Sequence, residues 1–346
     1  MKYKLDCAVW ETTLACNMNC KHCGSSAGTA RENELSTDEC FKLCEDLAQS
    51  GCNTVSLMGG EPFVRKDWKS LAWCVKDLGM ELAFVSNGLL IPKYINDLVE
   101  LETSVIGISL DGTEKTHDSI RREGSYKAVM KTIDLLNQNG IQTTVITTVT
   151  KTNFSELLAI RDILKKKKVN WQIQIGMPFG NLDPNLIIDE DEYYAIPMFI
   201  VSEGIKNKFK EYPVIGAHCF GYFSHLLQGG GHWKGCTAGI SSIGITSDGG
   251  IVGCLSMGNN QFIEDNIRER SFIDIWEDPN SFRYNRKFTV ENIGANCQGC
   301  YFADRCKGGC NSVSLHMSGK LHNTPFCMRM IEENKLDVKP TKSYKR

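Results

Sequence analysis

Three cysteines near the N-terminus have spacings that suit the ligands of an iron–sulfur cluster. Cys16, Cys20 and Cys23 follow a strand-like run with the spacing C-x3-C-x2-C. A closed cubane takes four thiolates, so three thiolates would leave one iron without a protein ligand. An open coordination position is where a substrate binds in catalytic metal sites. The alternative interpretations are a zinc site with a distant fourth ligand and a set of disulfide partners.

Seven more cysteines are concentrated in the C-terminal third of the chain. A pair with the spacing C-x12-G-x4-C precedes a run with the spacing C-x2-C-x5-C-x3-C, and a last thiol follows sixteen residues later. They are Cys236, Cys254, Cys297, Cys300, Cys306, Cys310 and Cys327. The segment is rich in glycine and short of long periodic helices, so we expect metal clusters to supply folding free energy that a large apolar core would otherwise give. A zinc ribbon would use only four of the seven.

Six strand-like segments alternate with helical stretches in the first half of the chain. They cover residues 8–13, 54–58, 81–85, 104–110, 142–149 and 171–175. Repeated βα units imply a parallel sheet with right-handed crossovers. The predicted fold class is therefore α/β, with a partial (β/α)6 TIM-like barrel ahead of the C-terminal cysteines. In such folds the chemistry gathers at the C-terminal ends of the strands.

Polar residues stand at those strand ends. The motif Gly59-Gly60-Glu61-Pro62 follows the second strand directly, and glycines let a backbone approach a ligand closely. Ser86 and Asn87 end the third strand, and Ser109 and Asp111 end the fourth. Each alone is typical of a cap or a turn. Their shared placement predicts a site along one edge of the sheet.

The first cysteine motif resembles the signature of the radical S-adenosylmethionine (SAM) enzymes, C-x3-C-x-aromatic-C, with His22 in the aromatic place. The resemblance implies that SAM chelates the open iron of a [4Fe–4S] cluster and is split by one electron into methionine and a 5′-deoxyadenosyl radical. It also implies that Arg121, or its neighbour Arg122, pairs with the carboxylate of SAM; a solvated arginine is the alternative for either one. The residues that would bind the amino group, ribose and adenine of SAM are Gly59, Gly60, Glu61, Pro62, Ser86, Asn87, Ser109 and Asp111.

The later cysteines resemble the SPASM domain, a C-terminal extension of radical SAM enzymes that holds two auxiliary [4Fe–4S] clusters. The resemblance gives the outer cluster the ligands Cys297, Cys300, Cys306 and Cys327, and the inner cluster Cys236, Cys254 and Cys310. It gives no fourth ligand for the inner cluster. Cys219 is a candidate for that position, or for a catalytic hydrogen-atom donor. The chain would then hold three clusters.

The motifs divide the chain into four predicted parts. Residues 1–180 form the radical SAM core, 181–232 a bridging segment, 233–327 the SPASM domain and 328–346 a C-terminal tail. The other cysteines are expected to be small packing residues of the core. They are Cys7, Cys40, Cys44, Cys52 and Cys74.

Composition narrows the possible partners and compartment. The 346 residues carry a formal net charge of −2, so nothing global points to nucleic acid or to an anionic membrane. No apolar run reaches the length of a membrane span, and the first residues lack the apolar segment of a secretory signal. We therefore expect a cytoplasmic protein whose cysteines are reduced. The lysine run at 165–168 is expected to end a helix.

SPASM enzymes mostly modify peptides and proteins, so the resemblance implies post-translational modification of a ribosomally made peptide, by a cross-link, a thioether or an epimerised centre. Modification of a tetrapyrrole in a haem pathway is the main alternative. An anaerobic sulfatase maturase is less favoured because Leu255, and not an aspartate, follows Cys254. An iron–sulfur electron carrier is the alternative that is not an enzyme.

The resemblance also implies protein partners. A flavodoxin- or ferredoxin-type reductant would supply the electron. Only fifteen residues precede Cys16, so no leader-recognition domain is expected there. A separate leader-binding protein, or the barrel itself, would then hold the leader of the peptide.

Overall fold

The computed structural model describes residues 3–207, 212–220, 223–227, 233–258 and 260–338. The strands are β1 (Cys7–Thr13), β2 (Thr54–Gly59), β3 (Glu81–Ser86), β4 (Val105–Ser109), β5 (Thr143–Val149), β6 (Asn170–Ile175), β7 (Val214–Gly216), β8 (Ser242–Ile245), β9 (Gly250–Val252) and β10 (Ile263–Asn266). The helices are α1 (Thr37–Gln49), α2 (Trp68–Asp77), α3 (Ile91–Glu100), α4 (Glu114–Ile120), α5 (Ser125–Gln138), α6 (Leu157–Lys167), α7 (Glu190–Asn207), α8 (Phe272–Glu277), α9 (Arg283–Arg286), α10 (Ala303–Cys306), α11 (Asn311–Ser318) and α12 (Met328–Lys335). None of these helices has both the length and the hydropathy of a transmembrane segment.

All ten strands belong to one sheet, in the order β10-β9-β8-β1-β2-β3-β4-β5-β6-β7. From β8 to β7 every neighbouring pair is parallel, whereas β8, β9 and β10 pair antiparallel. The α/β class and the six βα units are confirmed, with strand ends within one residue of the predicted ones. The four later strands were not predicted, because each has only three or four residues.

The C-terminal region is joined to the barrel through this sheet. The register of β1 with β8 runs from Cys7 opposite Ser242 to Trp10 opposite Ile245. Ile243, Phe272 and Trp276 lie in the same buried cluster as the barrel core. Farther out, the small group of Ile293, Cys297 and Ala303 packs separately. The sheet therefore crosses the predicted boundary at residue 233, and only the outer part of the cysteine-rich region lacks a substantial core.

The first helix follows its sequence signals. Ser36 Oγ accepts from the backbone N–H of Glu39 at 3.3 Å, and a Glu39 carboxylate oxygen accepts from Ser36 N–H at 2.8 Å, which forms a capping box. Cys40 and Cys44 are buried on its inner face, as expected for packing residues. Burial raises the pKa of the Cys40 thiol to about 12, so this cysteine stays protonated.

The lysine run also lies as expected. Helix α6 ends at Lys167, and Lys168 follows in the left-handed conformation. Lys167 Nζ pairs with a carboxylate oxygen of Asp134 at 2.6 Å. The predicted bridge and tail are described only in part, since residues 208–211, 221–222, 228–232 and 339–346 lie outside the described residues.

Candidate active site

The three N-terminal thiols lie in a loop that follows the C-terminal end of β1. The end of the loop, at Gly28, lies beside its beginning, at Leu14 and Cys16. Cys16 N–H donates to the Gly28 carbonyl at 3.0 Å, and Gly28 N–H donates to the Leu14 carbonyl at 3.0 Å. These bonds close the loop. Cys16, Cys20 and Cys23 are half-buried within it, and the charges of the other two act on Cys16.

Backbone amides point at the sulfurs of this loop. Met18 N–H donates to Cys16 Sγ and Ala27 N–H to Cys23 Sγ, each at 3.4 Å. Such donors stabilise cluster thiolates and set cluster potentials. Burial raises the pKa of Cys16 to about 11, so a thiolate there needs bound positive charge, which an iron cluster provides. The donor set fits a cluster, although no three Cys, His, Asp or Glu side chains in the described ranges are grouped as ligands of one metal ion.

Glu61 is completely buried beside this loop. Its carboxylate accepts from Ser86 Oγ at 2.8 Å and from the backbone N–H of Asn87 at 2.9 Å. Burial raises its pKa to about 7, against the lowering effect of these donors. Asn87 Nδ2 reaches Asn17 Oδ1 at 2.7 Å and Cys16 Sγ at 3.9 Å. The second and third strand ends therefore meet the cysteine loop in one hydrogen-bonded unit.

Gly59 and Gly60 have a structural reason to be glycine. A Cβ on Gly59 would lie 2.2 Å from the Thr13 carbonyl oxygen, and one on Gly60 would lie 2.2 Å from the Ala15 carbonyl oxygen. Gly59 also has a φ of +142°. The glycines were expected to admit a ligand. In the structure they admit the backbone of the last residue of β1 and of the start of the cysteine loop, which pass close to the end of β2.

Asp111 collects three donors at the end of β4. His22 Nε2 lies 2.9 Å and Arg121 Nε 2.5 Å from its Oδ2, and Thr148 N–H donates to its other oxygen at 2.8 Å. Although burial opposes it, the charges of Arg121 and His22 hold the Asp111 pKa well below its usual range. Arg121 Nη1 also reaches Cys20 Sγ at 3.8 Å. Arg121 thus binds the protein's own carboxylate and a thiol of the loop.

The remaining predicted residues lie at the same edge. Ser109 is the last residue of β4 and is half-buried, and Pro62 is buried at the start of a 3-10 turn that follows Glu61. Sequence reasoning missed the contacts made by Asn17 and by His22. The departure at His22 from the usual aromatic residue was a signal, because a histidine in an aromatic place needs a polar partner when it is buried.

The four thiols assigned to the outer cluster line one cavity. It encloses about 320 Å³, including its open side. Its walls are Phe223, Ile293, Cys297, Cys300, Phe302, Ala303, Cys306, Gly308, Thr324, Cys327, Arg329 and Met330. Phe223 and Phe302 stack with ring centroids 4.1 Å apart. The cavity brings together four thiols that are up to thirty positions apart in sequence, which sequence spacing alone does not guarantee.

The three thiols assigned to the inner cluster lie close enough for their charges to act on one another. Burial, followed by the charges of Cys236 and Cys254, raises the pKa of Cys310 well above its usual range. Cys219 is the next charge that acts on Cys310. It is buried in the main core, where its thiol bonds to the backbone of Ile175, and burial raises its pKa to about 12.

A cleft separates the cysteine loop from the C-terminal region. It holds about 960 Å³ of space, including its open side. Its walls are Glu11, Leu14, Gly24, Ser25, Ser26, Arg31, Phe179, Gly180, Thr246, Val252, Leu255, Gly258 and Ile263. Arg31 pairs with Glu11 at 2.9 Å inside it. The cleft therefore runs from Gly24, beside Cys23, to Leu255, beside Cys254.

Three features together define a class of protein: the thiol loop, the parallel barrel and the second cysteine region. The sequence pattern of the Radical SAM superfamily matches residues 10–164, and that of the SPASM iron–sulfur cluster-binding domain matches residues 236–301. The chain belongs to the radical SAM enzymes with a C-terminal SPASM domain. It is a SAM-dependent enzyme, and its cofactors are [4Fe–4S] clusters and SAM.

Its relatives include enzymes with different substrates. The chain is 29% identical to the Fe-coproporphyrin III synthase of Methanosarcina barkeri, over 89% of this chain and 83% of that protein. It is 28% identical to the mycofactocin maturase MftC of Mycobacterium tuberculosis, over 89% and 79%. The fold is similar to that of SuiB from Streptococcus suis bound to S-adenosylmethionine, with a TM-score of 0.74 and 18% identity over 89% and 74%.

Proposed function

We propose that the chain uses SAM to abstract a hydrogen atom from a ribosomally made peptide and so installs a post-translational modification. The observation that carries this proposal is the convergence of the thiol loop, Glu61 and Asp111 at one sheet edge, beside a cleft that reaches Leu255. A small cosubstrate and a longer chain can then approach the same loop from two sides.

In this proposal Cys16, Cys20 and Cys23 hold the SAM-binding [4Fe–4S] cluster. Such a cluster supplies the electron that splits SAM into methionine and the hydrogen-abstracting 5′-deoxyadenosyl radical. Glu61 receives the ammonium group of SAM. Its carboxylate has about four lone-pair positions, and the bonds from Ser86 and Asn87 leave some of them available.

Asp111 and Arg121 take positioning roles in this proposal. Asp111 orients His22 and Arg121, and Arg121 extends toward Cys20 and offers its remaining N–H groups to the carboxylate of SAM. Ser109 and Asn87 stand at the strand ends where the ribose and adenine would lie. Gly59, Gly60 and Pro62 shape the backbone that carries Glu61.

The cavity of four thiols supports assignment of the outer auxiliary cluster to Cys297, Cys300, Cys306 and Cys327. The mutual charges of the inner group support Cys236, Cys254 and Cys310 as ligands of the inner one. Three cubanes would give about twelve irons per chain. The domain limits at residues 180, 232 and 327 follow these assignments.

Cys219 is proposed as the catalytic hydrogen-atom donor. Burial raises the pKa of its thiol to about 12, so without bound iron the thiol keeps the hydrogen atom that it would transfer. Cys219→Ala should still form 5′-deoxyadenosine and lose product. A changed inner-cluster spectrum in that variant would instead identify Cys219 as a ligand.

The relatives suggest two classes of substrate for this chain, a peptide and a tetrapyrrole. MftC is a maturase, and SuiB has been solved bound to its precursor peptide SuiA. A tetrapyrrole is the second candidate, because Fe-coproporphyrin III synthase matches over nearly the whole chain and Arg31 in the cleft offers a guanidinium to a propionate. A flavodoxin- or ferredoxin-type reductant and a separate leader-binding protein complete the proposed partners.

The deciding experiment incubates the anaerobically reconstituted protein with SAM, a reductant and either precursor peptides from neighbouring genes or an iron porphyrin. We expect 5′-deoxyadenosine together with a mass change in a peptide. Turnover of the porphyrin alone would favour the second candidate. A protein with its clusters loaded that forms no 5′-deoxyadenosine would contradict both.

A further inference from the structure

The phenol of Tyr284 has no role in the site described so far, although it lies deep in the C-terminal region. The residue belongs to α9, and its hydroxyl is buried without a hydrogen-bond partner among the described residues. Leaving a buried O–H group unbonded costs free energy, so such a group in a folded protein needs an explanation.

The hydroxyl packs directly on the backbone that leads into an inner-cluster cysteine. A Cβ added to Gly253 would lie 1.9 Å from Tyr284 Oη, so the glycine next to Cys254 leaves the space that the hydroxyl fills. The same added Cβ would lie 3.1 Å from the Cβ of Ala238, two residues after Cys236. The phenol therefore stands between the segments that carry these two thiols.

Neighbouring contacts fix the ring in this place. Asn285 Nδ2 donates to the Ala238 carbonyl at 2.7 Å, and the carbonyl of Tyr284 itself lies 2.7 Å from His322 Nε2. The ring of Phe262 meets the ring of Tyr284 edge-on at 5.8 Å. A tyrosine hydroxyl is protonated at neutral pH and can donate one hydrogen bond.

We infer that the Tyr284 hydroxyl is a hydrogen-bond donor to the inner auxiliary cluster, on the flank of Cys236 and Cys254. The inference rests on the proposed ligand set of that cluster. The charge of Glu264 also acts on Tyr284, but its carboxylate bonds to the backbone of Phe282. The charge of Cys219 acts on Cys310, whereas the phenol of Tyr284 lies beside the segments of Cys236 and Cys254. The two groups therefore lie next to different proposed ligands of the inner cluster.

A donor to sulfur stabilises the more negative, reduced cluster and raises its reduction potential. Tyr284→Phe removes the donor and keeps the ring. We expect the midpoint potential of the inner cluster to fall, with about a tenfold change in the reduction equilibrium, or ~59 mV for one electron. Potentiometric titration followed by electron paramagnetic resonance measures this, and the SAM-binding and outer clusters in the same sample should keep their potentials.

Tyr193→Phe is the matched control. Tyr193 is also buried, and thiols including that of Cys310, an assigned inner-cluster ligand, act on it, but its hydroxyl is already engaged, because it donates to the Cys219 carbonyl at 3.2 Å. This variant should leave the inner potential unchanged. Equal potentials in Tyr284→Phe and the parent protein, or equal shifts in both variants, would overturn the inference.

Iron content separates this inference from the ligand assignment. Parent protein and Tyr284→Phe should each bind about twelve irons, and Cys254→Ala should bind fewer. If Cys254→Ala keeps the full content and an unaltered inner-cluster signal, the ligand assignment fails, and the inference fails with it. If the assignment holds while the potential does not move, only the role of Tyr284 is overturned.

Discussion

The N-terminal thiol loop and the outer thiol cavity surround their cysteines in opposite ways. The loop lies among charged and amide groups, with Asn87 and Arg121 reaching toward its sulfurs. The cavity is walled largely by apolar and aromatic residues, such as the stacked Phe223 and Phe302. A centre that must bind a charged cosubstrate needs polar partners for it. A centre that only holds and passes electrons can be enclosed by apolar side chains.

The largest expected effect comes from the polar side of this comparison. Cys20→Ala removes one of three thiols in the loop and should abolish formation of 5′-deoxyadenosine. The auxiliary cluster signals should persist, because the outer cysteines lie in a separate cavity. Chromatographic quantification of 5′-deoxyadenosine and paramagnetic resonance spectra measure the two outcomes. Retained SAM cleavage would contradict the assignment of Cys20.

A substitution in the outer thiol cavity should affect iron content and product formation more than SAM cleavage. Cys306→Ala removes one of four thiols from the outer cavity, and iron content should fall from about twelve to about eight per chain. The folding free energy that the cluster supplies would be lost with it. SAM cleavage should remain measurable, whereas product formation should fail. Loss of SAM cleavage equal to that in Cys20→Ala would remove the distinction between the two centres.

Glu61 offers a finer test of the polar site. Glu61→Gln keeps the size of the side chain and removes the charge that binds an ammonium group. A charged hydrogen bond contributes about 1.5–3 kcal/mol, so affinity for SAM should fall by roughly ten- to a hundredfold. Calorimetric titration of anaerobic protein measures it, with Glu102→Gln, an exposed glutamate in the turn after α3, as the control. Unchanged affinity would exclude Glu61 from SAM binding.

The raised pKa of Glu61 adds a pH dependence. In the folded protein without SAM, burial raises the pKa of Glu61 to about 7, above the ordinary value of a glutamate. Folding therefore favours the protonated form of this carboxyl group. This contribution to folding is present below the ordinary carboxyl pKa and is lost as pH rises through about 7. Binding of SAM needs the carboxylate, so affinity should weaken as pH falls below about 7. Glu61→Gln should lack this dependence.

The smallest expected effect is at His22. His22→Phe restores the usual aromatic residue and takes one donor from Asp111. Arg121 and Thr148 still bind that carboxylate, so the free energy of unfolding should fall by about 1–3 kcal/mol. Denaturant unfolding at neutral pH measures it, against Lys21→Ala as an exposed neighbour.

The His22 effect should diminish in acid. The Asp111 pKa is depressed in the folded protein, so its stabilisation is present above the ordinary carboxyl pKa and is lost as pH falls. Equal losses in His22→Phe and Lys21→Ala would show that the His22–Asp111 contact contributes nothing to stability.

The strands β1 to β6 were predictable because each is a run rich in apolar and β-branched residues that alternates with a helical stretch. The short strands β7 to β10 were not, since three or four residues carry too little periodicity. Residue types and spacing also indicated Glu61 and the ten cysteines. They did not indicate that Gly59 and Gly60 pack on the protein's own loop, or that Arg121 binds Asp111, because such partners are chosen by tertiary packing.

The parallel pairing of β8 with β1 has a consequence for electron flow. The loop with Cys16 leaves the end of β1, and Cys254 follows β9, the hydrogen-bonded neighbour of β8. Under the proposed ligand assignment, a backbone ladder of β1, β8 and β9 would connect the SAM-binding centre to the inner one. The strand register would then set the distance that an electron crosses between them, and a one-residue slip in β8 would alter it.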